Sequence, residues 1–148
     1  MAGLFGHWQV WALLSAVFAA LTAIFAKVGV GGIGSDMATL IRTAVVLAAL
    51  GLLVVATRQW QSLSTVTPRT WIFLVLSGLA TGASWLCYFR ALKLGDAARV
   101  APVDKLSLVL VAVFAVAFLG ERPNLREWSG IAMVAGGVLL LALKRVGG

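Results

Sequence analysis

Charge is what this sequence has least of: 11% of its 148 residues are Asp, Glu, Lys or Arg, where a soluble domain carries about a quarter. Acidic groups are scarcest, with Asp and Glu together numbering 5. A single cysteine, Cys87, and a single histidine, His7, exclude an internal disulfide and a clustered Cys/His metal site. Catalytic signatures are missing too. Leu94-Gly95-Asp96 lacks the first glycine of the Gly-x-Gly-Asp pattern of intramembrane aspartyl proteolysis, and His7 stands outside the apolar segments, where it serves no membrane serine as a base. Gly31-Gly32-Ile33-Gly34 has no Lys-Ser/Thr after it and is not a phosphate-cradling loop. No enzyme chemistry and no cofactor are expected.

What fills the space is apolar: 61% of the residues are hydrophobic. One small core cannot hide that much apolar surface, so the expected solvent is lipid. A membrane-crossing helix needs about 20 mainly apolar residues. Positions 8–26 and 70–89 are runs of that length without a charge, while 43–57, 106–120 and 128–143 are shorter. No Lys or Arg precedes the first run and four more follow it, so it is expected to be a retained helix and not a cleaved signal. The pattern predicts an all-α integral membrane protein of one domain, 1–148, with helices over 8–28, 37–57, 70–92, 97–119 and 125–144. The formal charge of +7 belongs to loops and lipid headgroup contacts in such a chain, and nucleic acid is not an expected partner.

Turn chemistry separates the helices. Gly29, Gly31, Gly32 and Gly34 follow the first, and Ser35 or Asp36 can cap the second. Gly95-Asp96 divides the third from the fourth. Gly120 and Pro123 stop the fourth, and Asn124 with Glu127 three residues on matches a capping box for the fifth. Five spans put the ends of the chain on opposite faces. The face of the N-terminus receives Arg58, Arg69, Arg122 and Arg126, and the other receives Lys27, Arg90, Lys93, Arg99, Lys144 and Arg145. That asymmetry leans towards the second face being cytoplasmic but is small enough to permit both orientations. Trp8, Trp11, Trp60, Trp71 and Trp128 gather at the first face, as an interfacial belt does.

Three charges fall where lipid should be. A 15-residue helix covers only about 23 Å of a hydrocarbon layer about 30 Å thick. The second helix therefore reaches spanning length only by including Arg42, and the fourth only by including Asp104 and Lys105. Each such group costs at least about 2.5–3.5 kcal/mol in lipid and normally faces protein or water. Arg42 and Asp104 have similar depths and suit an ion pair, which leaves Lys105 to line an aqueous cavity. The plainer alternative is that the pair is structural and Lys105 snorkels to the interface. In the third helix Ser77, Thr81, Ser84 and Tyr88 share one face, with Trp85 beside them. That stripe suits a solute path, although Ser and Thr hydroxyls also bond back to their own helix. Gly78 with Gly82, and Ala132 with Gly136, suit close helix packing. The candidate binding set is Arg42, Lys105, Trp85, Tyr88, Ser84 and Thr81, with Asp104 as a coupling group or as the counter-ion of Arg42. The surplus of cations around it favours an anionic or zwitterionic solute.

The run Tyr88-Phe89-Arg90-Ala91-Leu92-Lys93-Leu94-Gly95-Asp96, continuing to Ala101-Pro102, resembles the EamA domain of the drug/metabolite transporter superfamily. So do Leu119-Gly120-Glu121-Arg122-Pro123, the stretch from Gly130 to Val138, Lys27 after Phe25-Ala26, and Arg42. The resemblance covers nearly the whole chain. It implies a five-helix repeat in a multi-pass protein of the bacterial cytoplasmic membrane, moving a small solute by alternating access as a homodimer. The two copies can lie antiparallel, as in the small multidrug resistance proteins. Two departures stand out. Many relatives have a proline halfway along the fourth helix, where this chain has Leu106-Ser107-Leu108, and the first helix has no carboxylate of the kind those multidrug proteins use. Asp104 is the only deep carboxylate left for coupling. The competing expectation is a non-transporting accessory or packing subunit of a lipid-modifying complex.

Overall fold

The computed structural model of the chain describes residues 7–143, which are helix and turn with no strand among them. Five stretches are long and apolar enough to cross a membrane: Trp8–Gly32, Ser35–Ala56, Pro68–Leu94, Ala97–Leu119 and Leu125–Ala142. The protein is an all-α, multi-pass membrane protein. The expected boundaries lie within two residues of these except at the end of the first span, expected at Val28, where a 3₁₀ turn carries it on to Gly32, and at the last end, where Lys144 falls outside the described residues. The chain forms two compact units, Met1–Leu94 and Gly95–Gly148.

In the first unit, α1 (Trp8–Gly29) runs into a 3₁₀ turn over Val30–Gly32, and α2 (Ser35–Ala56) and α3 (Pro68–Leu94) follow. The third helix packs against both others. Its core is small and lies at one end, where the last turns of α1 and α3 meet the first turn of α2. Ala23, Ala26, Val30, Ala38, Phe89 and Leu92 are buried there. Thr39 is buried with them, and its hydroxyl donates to the Ser35 carbonyl at 2.9 Å, so no polar atom is stranded. Three cations tie this end together. Lys27 Nζ donates to the Leu92 carbonyl at 2.7 Å, and Lys93 Nζ donates to the Ile33 carbonyl at 2.7 Å. Arg90 reaches both oxygens of Asp36, at 3.1 and 3.2 Å. Lys27 meets a carbonyl in the last turn of α3, where helical acceptors have no partner of their own.

Neither Ser35 nor Asp36 caps α2, contrary to the reading of the sequence. The cap position is Gly34, and no side chain bonds to the helix's first amides. The helix starts two residues early, which turns both residues into its first turn. Asp36 still complements the positive end of the helix dipole while it holds Arg90. At the far end of α2, Arg58 adopts φ 53°. Its N–H donates to the Val55 carbonyl and that of Gln59 to the Val54 carbonyl, a Schellman closure with arginine where glycine is usual.

In the second unit the fourth span is not one continuous helix. It consists of α4 (Ala97–Asp104), α5 (Ser107–Phe114) and a π turn over Ala115–Leu119. Around Lys105 and Leu106 the bonding tightens to i→i+3: Lys105 donates to Pro102, Leu106 to Val103, Leu108 to Lys105 and Val109 to Leu106, at 2.9–3.0 Å. Pro102 lies one turn upstream, where it removes the N–H that would have reached the Ala98 carbonyl. Gly120 ends the span at φ +69°, a conformation that favours glycine. Next, α6 (Leu125–Ala142) packs back along α4 and α5. Its capping box forms as expected: Asn124 Oδ1 accepts from the Glu127 N–H at 3.0 Å, and the Asn124 N–H donates to Glu127 Oε2 at 2.7 Å.

Candidate functional site

Arg42 is seven residues into α2, about 10 Å along the helix from its first residue. Trp85 and Phe89 lie nine and five residues before the end of α3, the same depth counted from the opposite direction. The two helices pack together, and the Arg42 guanidinium carbon sits over the Trp85 ring at 4.0 Å from its centroid, and 5.7 Å from that of Phe89. A desolvated cation on a ring face gains on the order of 2 kcal/mol, most with tryptophan. Arg42 is half-buried, as are Trp85 and Tyr88, and Phe89 belongs to the packed core. Within the first unit, no hydrogen bond runs from the Arg42 guanidinium to another described side chain; ring faces hold it, and Tyr88 lies close enough to interact with its charge.

The stripe on α3 continues from this point. Ser84, Thr81 and Ser77 are all exposed on the helix. The Thr81 hydroxyl donates to the Ser77 carbonyl at 2.9 Å, as the alternative reading of such residues expects. Neither Ser77 nor Ser84 has a side-chain hydrogen bond to another described residue. A polar face therefore extends from the Arg42–Trp85 contact towards the opposite end of α3.

Asp104 and Lys105 stand in the second unit, at the tightened segment between α4 and α5. Lys105 Nζ lies 3.3 Å from Asp104 Oδ2, so each charge is met by its neighbour in sequence. An open cleft of about 420 Å³ in the same unit has an apolar wall of Leu108, Val111 and Ile131 and a polar end formed by Glu121, Arg122 and Glu127.

Sequence reasoning put Arg42, Trp85 and Tyr88 in one binding set and matched Arg42 in depth with Asp104, but did not pair the guanidinium with a ring face. A signal was present. Counting residues from the ends of two antiparallel helices puts Arg42, Trp85 and Phe89 level. The expected surplus of cations is also apportioned differently, because Lys27 and Lys93 are bonded to carbonyls and Arg90 to Asp36.

Known proteins place the chain in context. Residues 6–143 match the family described as EamA-like transporter family. An uncharacterized transporter in the cobO 3′ region of a Sinorhizobium species is 68% identical over 136 residues, covering 92% of this chain and 96% of that protein. The uncharacterized transporter YxxF of Bacillus subtilis is 26% identical over 146 residues. That match takes in 97% of this chain but 45% of the Bacillus protein, so the chain spans less than half of its length. A third relative is a probable 4-amino-4-deoxy-L-arabinose-phosphoundecaprenol flippase subunit, ArnE, of Proteus mirabilis. It is 26% identical over 87 residues, 58% of this chain and 77% of its own. No solved structure matches the chain.

Proposed function

The chain belongs to the EamA-like transporter family, and from that premise we propose that it is a small-solute transporter subunit working by alternating access as a homodimer in the bacterial cytoplasmic membrane. The solute is held at Arg42, Trp85 and Tyr88, with Ser84 and Thr81 lining its path and Lys105 supplying a second cation. Asp104 carries the coupling proton or serves as the counter-ion of Arg42. The observation that supports this reading best is Arg42, a guanidinium about 10 Å inside a membrane span that rests on the faces of Trp85 and Phe89. A group so costly to place in lipid is ordinarily kept for a function.

Two lengths of relative support the homodimer. The Sinorhizobium transporter is matched over 96% of its length and the Bacillus transporter over 45%. A chain of one repeat obtains from a second copy what the longer protein carries in itself, and inverted repeats around a midplane site are a recurring transporter design. An antiparallel pair fits the small difference in positive charge between the two faces.

The likeness to a probable flippase subunit favours one other reading, a non-transporting accessory subunit that assists a complex handling lipid-linked substrates. Thermal stabilisation of the purified protein across a broad panel of metabolites separates the two. A transporter is stabilised by some member of the panel, and a panel without effect removes the transport reading. The coupling role has its own test. Asp104→Asn abolishes uptake driven by an imposed pH gradient in reconstituted vesicles, and unchanged uptake removes Asp104 from coupling.

A further inference from the structure

The cations around the packed end of the first unit are not equivalent. Lys27 and Lys93 each donate to a backbone carbonyl at 2.7 Å, and Arg90 spans both oxygens of Asp36. These contacts join separate segments of the chain: α1 to α3, the turn before α2 to α3, and the start of α2 to α3. Removing any of them for a ligand loosens the packed core at this end. Arg42 is different. The Trp85 and Phe89 rings fix where the guanidinium lies, at 4.0 and 5.7 Å, but neither ring offers an oxygen lone pair to its N–H groups. A planar guanidinium presents its donors in a fork whose geometry matches a carboxylate or a phosphate. Holding that fork on a rigid ring lowers the ordering cost of capturing such a ligand.

We infer that Arg42, plated on Trp85, is an oxyanion receptor that binds the carboxylate or phosphate end of a ligand through its N–H edge, and that Lys27, Arg90 and Lys93 are not part of it. The inference rests on the transport reading only for the identity of the ligand as cargo; the binding itself can be measured without transport. The ligand is an organic acid or phosphate ester in which the oxyanion enters at the Arg42 depth and the remainder lies along Ser84, Thr81 and Ser77. The same chemistry is offered by a soluble solute and by a lipid phosphate. Trp85 supplies a reporter, because its indole touches the cation whose environment changes.

The test is a fluorescence and thermal-stability titration of the purified protein in maltoside micelles, which contain no phosphate. Acetate, inorganic phosphate and phosphatidic acid are added in turn, with chloride holding ionic strength constant. Saturable stabilisation and a change in tryptophan emission are expected. In Trp85→Phe the emission change disappears while stabilisation persists at weaker affinity. In Arg42→Lys, which keeps the charge and guards against misfolding, the apparent Kd rises about tenfold or more because the bidentate fork is gone. Lys93→Gln, the control, lowers the melting temperature but leaves the apparent Kd unchanged. A response to acetate or phosphate assigns the site to a soluble solute, and a response to phosphatidic acid alone assigns it to lipid. Absence of any response that depends on Arg42 overturns the inference. Binding that depends on Arg42 in a protein that transports nothing leaves the receptor standing and removes the transport reading.

Discussion

The two ends of α3 obey different rules. Its last turns hold Phe89 and Leu92 in the packed core, and Lys27, Asp36 and Ile33 from other segments bond to this end. Its first half has no buried residue; Ser77 and Thr81 stand exposed along it, and Ser84 continues the stripe just beyond. One end of the first unit is closed by contacts among its own helices, while the other half has no buried residue within α3. Arg42 and Trp85 lie at the border between them. Under the proposed transport function, that border joins a part that holds geometry to a part that can change its neighbours.

Stability measurements in detergent can break or sharpen this contrast. The largest effect belongs to the closed end. Leu92 is 0% exposed, and Leu92→Ala costs about 2–5 kcal/mol by lost burial and the cavity left behind. On the open half Leu79 is 67% exposed, and Leu79→Ala stays within about 0.5 kcal/mol. Equal losses at the two sites contradict the division. Next comes Lys27→Met, which removes a charged donor from a part-buried carbonyl and costs about 1.5–3 kcal/mol. Asp36→Asn breaks an ion pair whose side chains are 62% and 65% exposed, and costs about 0–1 kcal/mol after solvent screening. The smallest effects are in the turns, and they have opposite signs. Gly120→Ala forces a Cβ onto φ +69° and loses about 1 kcal/mol, whereas Arg58→Gly relieves φ 53° and gains about 0.5–1 kcal/mol. Unfolding midpoints of the two variants check the signs directly.

Much of the fold was legible because lipid imposes a simple rule of length and polarity. The five spans, the Asn124–Glu127 box and the Gly120 stop each rest on a local pattern, and each forms. Three features were not legible, for distinct reasons. The tightening at Lys105–Leu106 depends on how the chain accommodates the missing N–H of Pro102, and apolar periodicity does not register which carbonyl an amide chooses. Lys27 and Lys93 find backbone acceptors, which carry no residue identity for a sequence to reveal. The contact of Arg42 with the Trp85 and Phe89 rings was not read either, because it needs a level count between two antiparallel helices. The Arg42–Asp104 pair expected from depth would join the two compact units, and it belongs with the proposal for Asp104.

The central claim is that the polar face of α3 borders an aqueous path and not acyl chains. Accessibility of introduced cysteines to a charged, membrane-impermeant thiol reagent measures this in native membranes, with the exposed native Cys87 replaced by alanine. The account predicts that Ser77→Cys, Thr81→Cys and Ser84→Cys react, that solute slows them, and that Leu76→Cys and Leu79→Cys on the apolar side remain unmodified. Cysteines at Ser77, Thr81 and Ser84 as inert as those at Leu76 and Leu79 contradict it.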